Sequence, residues 1–160
     1  MPKTLVVFYS LTGFTKTAAE ELARSGGWEI AEIRDVHSRK GVWSKSRCLI
    51  ESSFGLNPRI DYRGPDPGGY DFVLLGAPVW GFHIASPLRS FFAHYRNQLK
   101  RIAFFFTFGG GGADNVTRQA GKLLGSTDVQ ILLLKDSEIE SGSFRGRISD
   151  FVGDLRTLGA

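Results

Sequence analysis

Cysteine is nearly absent. Cys48 is the only one in 160 residues, so no disulfide can close within the chain, and a reducing compartment is the expected home. A lone thiol of this kind reads first as a small hydrophobe and second as a reactive group. Long hydrophobic runs are missing as well. No stretch approaches the ~20 apolar residues that a membrane-spanning helix needs. Positions 1–5 carry a lysine but no apolar segment of a secretory signal. These absences lead to the expectation of a cytoplasmic protein without a membrane span. Two phosphate signatures are also lacking: no G-x-x-x-x-G-K-[ST] occurs, and no G-x-G-x-x-G follows the first strand. That disfavours a nucleoside triphosphate site and a Rossmann dinucleotide site. Charge of one sign is not in great excess. Twenty Lys and Arg against sixteen Asp and Glu leave +4, a mild basicity that solvated surface accounts for. No nucleic-acid motif accompanies it, so no nucleic-acid partner is expected.

What is present is ordinary in amount and ordered in pattern. Apolar residues make up 42% and charged residues 22% of the chain, which suits one domain over residues 1–160 with a sizeable core. Residues 5–8 form a continuous apolar run, as in a strand covered on both faces. Similar strands are expected at 28–33, 70–76, 102–107 and 129–134. The second lacks a strong apolar run and suits a place near the sheet edge. Helices are expected from about Ala18, after Pro87 with Ser86 as a possible N-cap, over 114–124, and over 144–158, where Ile148, Phe151, Val152 and Leu155 keep helical spacing. Strands alternating with helices predict an α/β fold: a doubly wound, five-stranded parallel sheet in the order 2-1-3-4-5 with helices on both faces. Ligands of such sheets sit beyond the carboxyl ends of the strands.

Three loops are marked at that end. After strand one come Ser10, Leu11, Thr12, Gly13, Phe14 and Thr15. Their hydroxyls and turn-forming amides empty into a helix N-terminus, which favours an anion such as a phosphate monoester. Lys16 is the only cation nearby, and Thr12 or Thr15 could instead simply cap the helix. After strand three come Pro78, Val79, Trp80 and Gly81. The indole could pack on a flat ligand or seal the top of the core. After strand four, Thr107 and Phe108 lead into Gly109, Gly110, Gly111 and Gly112. Glycines let a backbone approach an aromatic system closely; a mobile connector is the alternative. Residues 34–70 are harder to read. They begin basic, with Arg34, Arg39, Lys40, Lys45 and Arg47, include Trp43 and Phe54, admit a helix over 46–53, and end rich in turn residues. A helix with one solvated face followed by a loop is the plainer account; a lid or an anion-binding surface beside the site is the other.

The motifs Tyr9-Ser-Leu-Thr-Gly-Phe-Thr15, Gly76-Ala-Pro-Val-Trp-Gly81 and Thr107-Phe-Gly-Gly-Gly-Gly112, in this order, resemble those of the flavodoxin family, most of all its short bacterial flavodoxin-like oxidoreductases. The resemblance implies non-covalent FMN. Ser10, Thr12, Gly13 and Thr15 would hold its phosphate, with Leu11 and Phe14 in the same loop. Pro78, Val79, Trp80 and Gly81 would flank the isoalloxazine, and Thr107, Phe108, Gly109, Gly110 and Gly111 would line its other side. Receiver domains share this sheet order, but the acidic cluster they use after strand one is replaced here by Tyr9 and Ser10.

Cofactor and fold leave function open. One possibility is an enzyme passing electrons from NAD(P)H to a quinone or similar small acceptor. Another is a flavodoxin-type electron carrier docking protein redox partners, and a third is an FMN-free binding scaffold. Carriers of the family are usually acidic. Here the stretch 76–92 holds no acid, and Asp114 is the sole acid in 108–122, which turns the expectation toward the enzyme. No catalytic acid or base and no metal ligand is expected, because the flavin carries the chemistry. His83 is read as a solvated or structural loop residue before a proton donor.

Overall fold

Every residue of the first strand, β1 (Thr4–Phe8), is buried. The computed structural model describes residues 2–36 and 57–159, and β1 lies at the centre of its sheet. The chain continues through α1 (Phe14–Gly26), β2 (Glu29–Asp35), β3 (Ile60–Tyr62), a 3-10 turn (Pro67–Gly69), β4 (Phe72–Trp80), β5 (His83–Ile84) and α2 (Ser86–Tyr95). It ends with β6 (Ile102–Phe108), α3 (Ala113–Leu124), β7 (Ile131–Lys135), α4 (Asp136–Ser141) and α5 (Phe144–Gly159). The strand order is β3-β2-β1-β4-β6-β7, with β5 attached to β4. Five strands, β2, β1, β4, β6 and β7, pair in parallel in the predicted order. The two short strands were not foreseen, and both pair antiparallel.

Period-two alternation along the central strands builds two cores. Leu5, Val7, Val73, Leu75, Phe104 and Phe106 face one way, onto Leu88 and Phe91 of α2 and Val116 and Ala120 of α3. Val6, Phe8, Leu74 and Phe105 face the other way, onto Ala18, Ala19 and Leu22 of α1 and Phe144, Ile148 and Val152 of α5. This is the physical sense of the unbroken apolar runs: both faces of each strand are covered. Gly76 belongs to this packing. A Cβ built on it would fall 1.9 Å from Phe105 Cζ, so the ring occupies the space a side chain would need.

Several expectations are corrected. Strand β4 does not end at Gly76 but runs to Trp80. Proline reads as a strand breaker, yet Pro78 stands where β4 leaves its parallel partner β6 for the antiparallel β5, and its carbonyl accepts from Ala85 N–H at 3.2 Å. Strand β2 starts after Trp28, and β7 starts at Ile131 rather than at position 129. Ser86 is the first residue of α2, not its cap; Ala85 is the N-cap, without a side-chain bond. Helix α1 begins at Phe14, so Thr15 is helical. Helix α4 was not expected. It starts directly after β7, with Glu138 reaching back to Lys135 N–H at 2.7 Å, which satisfies one open amide of its first turn. Within 34–70, β3 covers the outer edge of β2. Cys48, Trp43, Phe54, the basic residues Arg39, Lys40, Lys45 and Arg47 and the helix expected over 46–53 lie outside the described residues.

Candidate functional site

The three marked loops converge at the carboxyl end of the parallel strands. Tyr9 N–H bonds Gly76 O at 2.9 Å, which keeps the loop after β1 beside β4. Ser10 Oγ accepts from Gly13 N–H at 3.1 Å and retains its own proton for donation. Gly13 is the N-cap of α1 at φ 103, with no side-chain cap and no acid in the first turn. The helix therefore opens on backbone amides that no side chain of the loop neutralises, which is the donor set an anion requires. Thr12 is exposed beside them, as is Lys16. Capping by Thr12 or Thr15 is excluded by the same geometry. Thr15 turns inward: it is 1% exposed, and its hydroxyl lies 2.7 Å from that of Thr107. It thus braces the loop against β6.

Pro78, Val79 and Trp80 stand on the end of β4 rather than in a loop. Trp80 pairs with His83, and Val79 with Ile84. Gly81 and Phe82 form the turn of this hairpin at φ 52 and φ 66, the two positive values that a type I′ turn needs. Phe82 is the one non-glycine residue at positive φ among the described residues, and it is 57% exposed at the tip. Trp80 meets Tyr9 edge-on, with centroids 5.4 Å apart and planes at 88°. Leu11, Val79 and Trp80 are half-buried against the core. Trp80 therefore packs at the top of the core and stays partly exposed.

The glycine loop packs on this hairpin. A Cβ on Gly111 would lie 3.0 Å from Phe82 Cε1, and one on Gly112 3.0 Å from Phe82 Cα and 3.1 Å from Val79 Cγ1. Gly111 and Gly112 thus make room for the hairpin tip, whereas Gly110 faces open space. Phe108 ends β6 half-buried, and Gly109 and Gly110 are exposed. A pocket of about 400 Å³ lies beside the tip, lined by Phe82, Gly111, Gly112, Asp114 and Arg118 among others. A cavity of about 600 Å³ lined by Thr4, Trp28, Phe72 and Arg101 lies at the amino end of the same strands and takes no part in this site.

Three residues of the surroundings escaped the sequence reading. Phe82 was legible in principle, since Gly-x between β-forming pairs signals a two-residue hairpin. Gln119, on α3, bonds the hairpin at Phe82 O, His83 Nδ1 and Ile84 N, each at 3.1 Å; nothing in its local sequence marks it. Asp136 begins α4, and its Oδ2 would lie 3.0 Å from a Cβ on Gly109. Partial burial, and secondarily Glu140, pushes its carboxyl above the ordinary value. An acid thus stands at the rim that the stretches 76–92 and 108–122 leave almost free of them. No group of three or more His, Cys, Asp or Glu suited to a metal occurs among the described residues, and no helix there is long and apolar enough to cross a membrane.

Comparison with known proteins follows the same lines. A family model for flavodoxins matches residues 3–133. Among solved structures, a flavoprotein from Lactobacillus acidophilus NCFM in complex with FMN is 24% identical, with 89% of this chain and 99% of that chain covered and a TM-score of 0.69. A protein from Bacteroides uniformis ATCC 8492 is 20% identical over 95% of this chain and 98% of its own, with a TM-score of 0.74. A Fusobacterium nucleatum flavodoxin bound to flavin mononucleotide is 8% identical, with 98% of each chain covered and a TM-score of 0.60. At these identities the structural likeness is one of fold. No protein of curated function matches the sequence.

Proposed function

The chain belongs to the flavodoxin family, and from that premise we propose that it is a single-domain, FMN-dependent oxidoreductase passing electrons from NAD(P)H to a quinone or similar small acceptor. The observation that carries the cofactor is the start of α1. Its amides open beside Ser10 and Thr12 with neither a side-chain cap nor an acid, which fits a phosphate monoester bound by hydrogen bonds. Two neighbours of this fold hold FMN, which supports the same choice.

In this reading Ser10, Thr12 and the amides after Gly13 hold the phosphate, and Thr15 holds the loop through Thr107. Leu11 and Phe14 shape the loop. Trp80, with Pro78, Val79 and Gly81, offers the flat surface on one side of the ring system. The segment Thr107, Phe108, Gly109, Gly110 and Gly111 offers backbone on the other. Bound FMN would supply reversible two-electron chemistry; the protein orients it and limits water. The low acid content of the hairpin region favours a small anionic donor such as NAD(P)H over a basic protein partner. Asp136, at the far side of the glycine loop, is the feature that would favour the carrier reading.

The test is direct. Purified protein loaded with FMN should show the visible flavin spectrum and bleach on adding NADPH or NADH without any reductase. Bleaching only after a separate reductase is added would point to an electron carrier.

A further inference from the structure

We infer that His83 is a hydrogen-bond donor for the carbonyl oxygen of the small acceptor, and that Gln119 fixes the imidazole in the tautomer this requires. The inference rests on the oxidoreductase reading above.

The backbone N–H of Ile84 can only donate, and it meets Gln119 Oε1 at 3.1 Å. That bond orients the carboxamide, because an amide nitrogen does not accept. The Gln119 NH2 group must then face the other two partners. It donates one hydrogen to Phe82 O at 3.1 Å, an oxygen that can only accept. Its second hydrogen meets His83 Nδ1, also at 3.1 Å. With a donor facing it, Nδ1 has to accept. The ring proton of the neutral imidazole therefore sits on Nε2. One backbone amide, acting through one side chain, selects the tautomer.

The freed donor is well placed. Among the described residues, the His83 imidazole makes no hydrogen bond other than the one to Gln119. It is half-buried and stands directly opposite Trp80 in the hairpin. Directly paired residues project from the same face, so the imidazole shares the face of the indole. The turn between them lies on Gly111 and Gly112. His83 is thus held at the border of the hairpin and the glycine loop, where a flat acceptor reaching bound FMN would enter. A neutral N–H with no acid in the stretch 76–92 suits a neutral carbonyl oxygen. As negative charge grows on that oxygen during reduction, the fixed N–H strengthens its hold.

A merely structural His83 would tie the hairpin to α3 and do no more, and two measurements separate the cases. The first is nitrogen NMR of the imidazole in the FMN-loaded oxidised protein. It should show Nδ1 bare and Nε2 protonated. Gln119→Glu, which can only accept at that position, should move the proton to Nδ1. A wild-type ring protonated at Nδ1 overturns the inference. The second is the reoxidation of chemically reduced FMN-loaded protein by 1,4-benzoquinone and, separately, by ferricyanide, which has no carbonyl. His83→Phe should slow quinone reduction by roughly five- to tenfold, the loss of one hydrogen bond, and leave ferricyanide reduction and FMN affinity unchanged. His83→Gln, which keeps an N–H donor, should recover part of the quinone rate. Equal slowing with both oxidants, or no slowing with the quinone, overturns it. Because the flavin is reduced chemically, failure of NAD(P)H as donor leaves this test intact. A chain that takes up no FMN defeats the premise and the acceptor role together.

Discussion

The hydroxyls of Thr15 and Thr107 lie 2.7 Å apart, although 92 positions separate them in the chain. Each residue is 1% exposed. The pair joins the start of α1 to the end of β6, and so joins the loop proposed to hold phosphate to the loop proposed to line the flavin. Removing one hydroxyl leaves the other buried without its partner, which costs about 1–3 kcal/mol. Thr15→Val and Thr107→Val should each destabilise by about that amount in urea unfolding. The double variant should lose less than the sum, because no orphan hydroxyl remains. Strict additivity would mean that the two hydroxyls do not interact.

The phosphate site predicts a difference between FMN and riboflavin. Thr12→Ala should weaken FMN roughly five- to tenfold, the loss of one hydrogen bond, and leave riboflavin affinity as it was. Gly13→Val should act in the same direction. Gly13 sits at φ 103 with nothing within 4 Å of an added Cβ, so the damage comes from the backbone rather than from a clash. Fluorescence titration with both flavins gives the answer. Equal affinity of the wild type for the two flavins would remove the loop from the site.

Gly76 is a packing position. The space for its side chain is taken by Phe105, whose ring would come within 1.9 Å of a Cβ. Gly76→Ala should therefore destabilise the fold by about 1–3 kcal/mol through overpacking. Adding Phe105→Leu should restore part of the loss, since it takes away the ring that blocks the methyl. Denaturant midpoints of the single and double variants check this.

Two acids of α4 should respond oppositely to pH. Asp136 is raised by burial, with Glu140 adding to it, so the native state keeps its proton longer than the unfolded chain does. Its effect is a loss of stability as pH rises from the ordinary aspartate value through the raised one. Glu138 is lowered, first by the Lys135 backbone N–H, which outweighs the opposing effect of burial, and further by Arg147. Its contribution is complete above the ordinary glutamate value and is lost as pH falls through the lowered one. Asp136→Asn should thus raise the melting temperature at neutral pH but not in acid. Glu138→Gln should lower it at neutral pH, with the difference closing in acid. Thermal unfolding followed across pH tests both signs.

Much of the fold was legible because the relevant information is local. Apolar runs at 5–8, 72–75 and 102–106 fit strands with two covered faces. Their alternation with helical stretches sets a parallel sheet. Boundaries were less legible. The strand expected to end at Gly76 continues through Pro78 because a second partner, β5, takes over from β6. The start of α4 at Asp136 was hidden because it follows β7 without an intervening turn residue.

The sequence by itself determined the class of the fold, the alternation of its parallel strands with helices and the three marked segments at their carboxyl ends. Each depends on periodicity or on glycines and hydroxyls close together in the chain. Only the tertiary structure decided that Thr15 turns to Thr107 rather than to the loop mouth, that Gly111 and Gly112 make room for Phe82, and that Gln119 orients His83. These are contacts between residues far apart in sequence. A hydroxyl, a glycine or an amide carries no local mark of which distant partner it will meet. That choice is made when packing of the two cores fixes where the helices and strand ends lie, and hydrogen bonds between groups so placed follow from it.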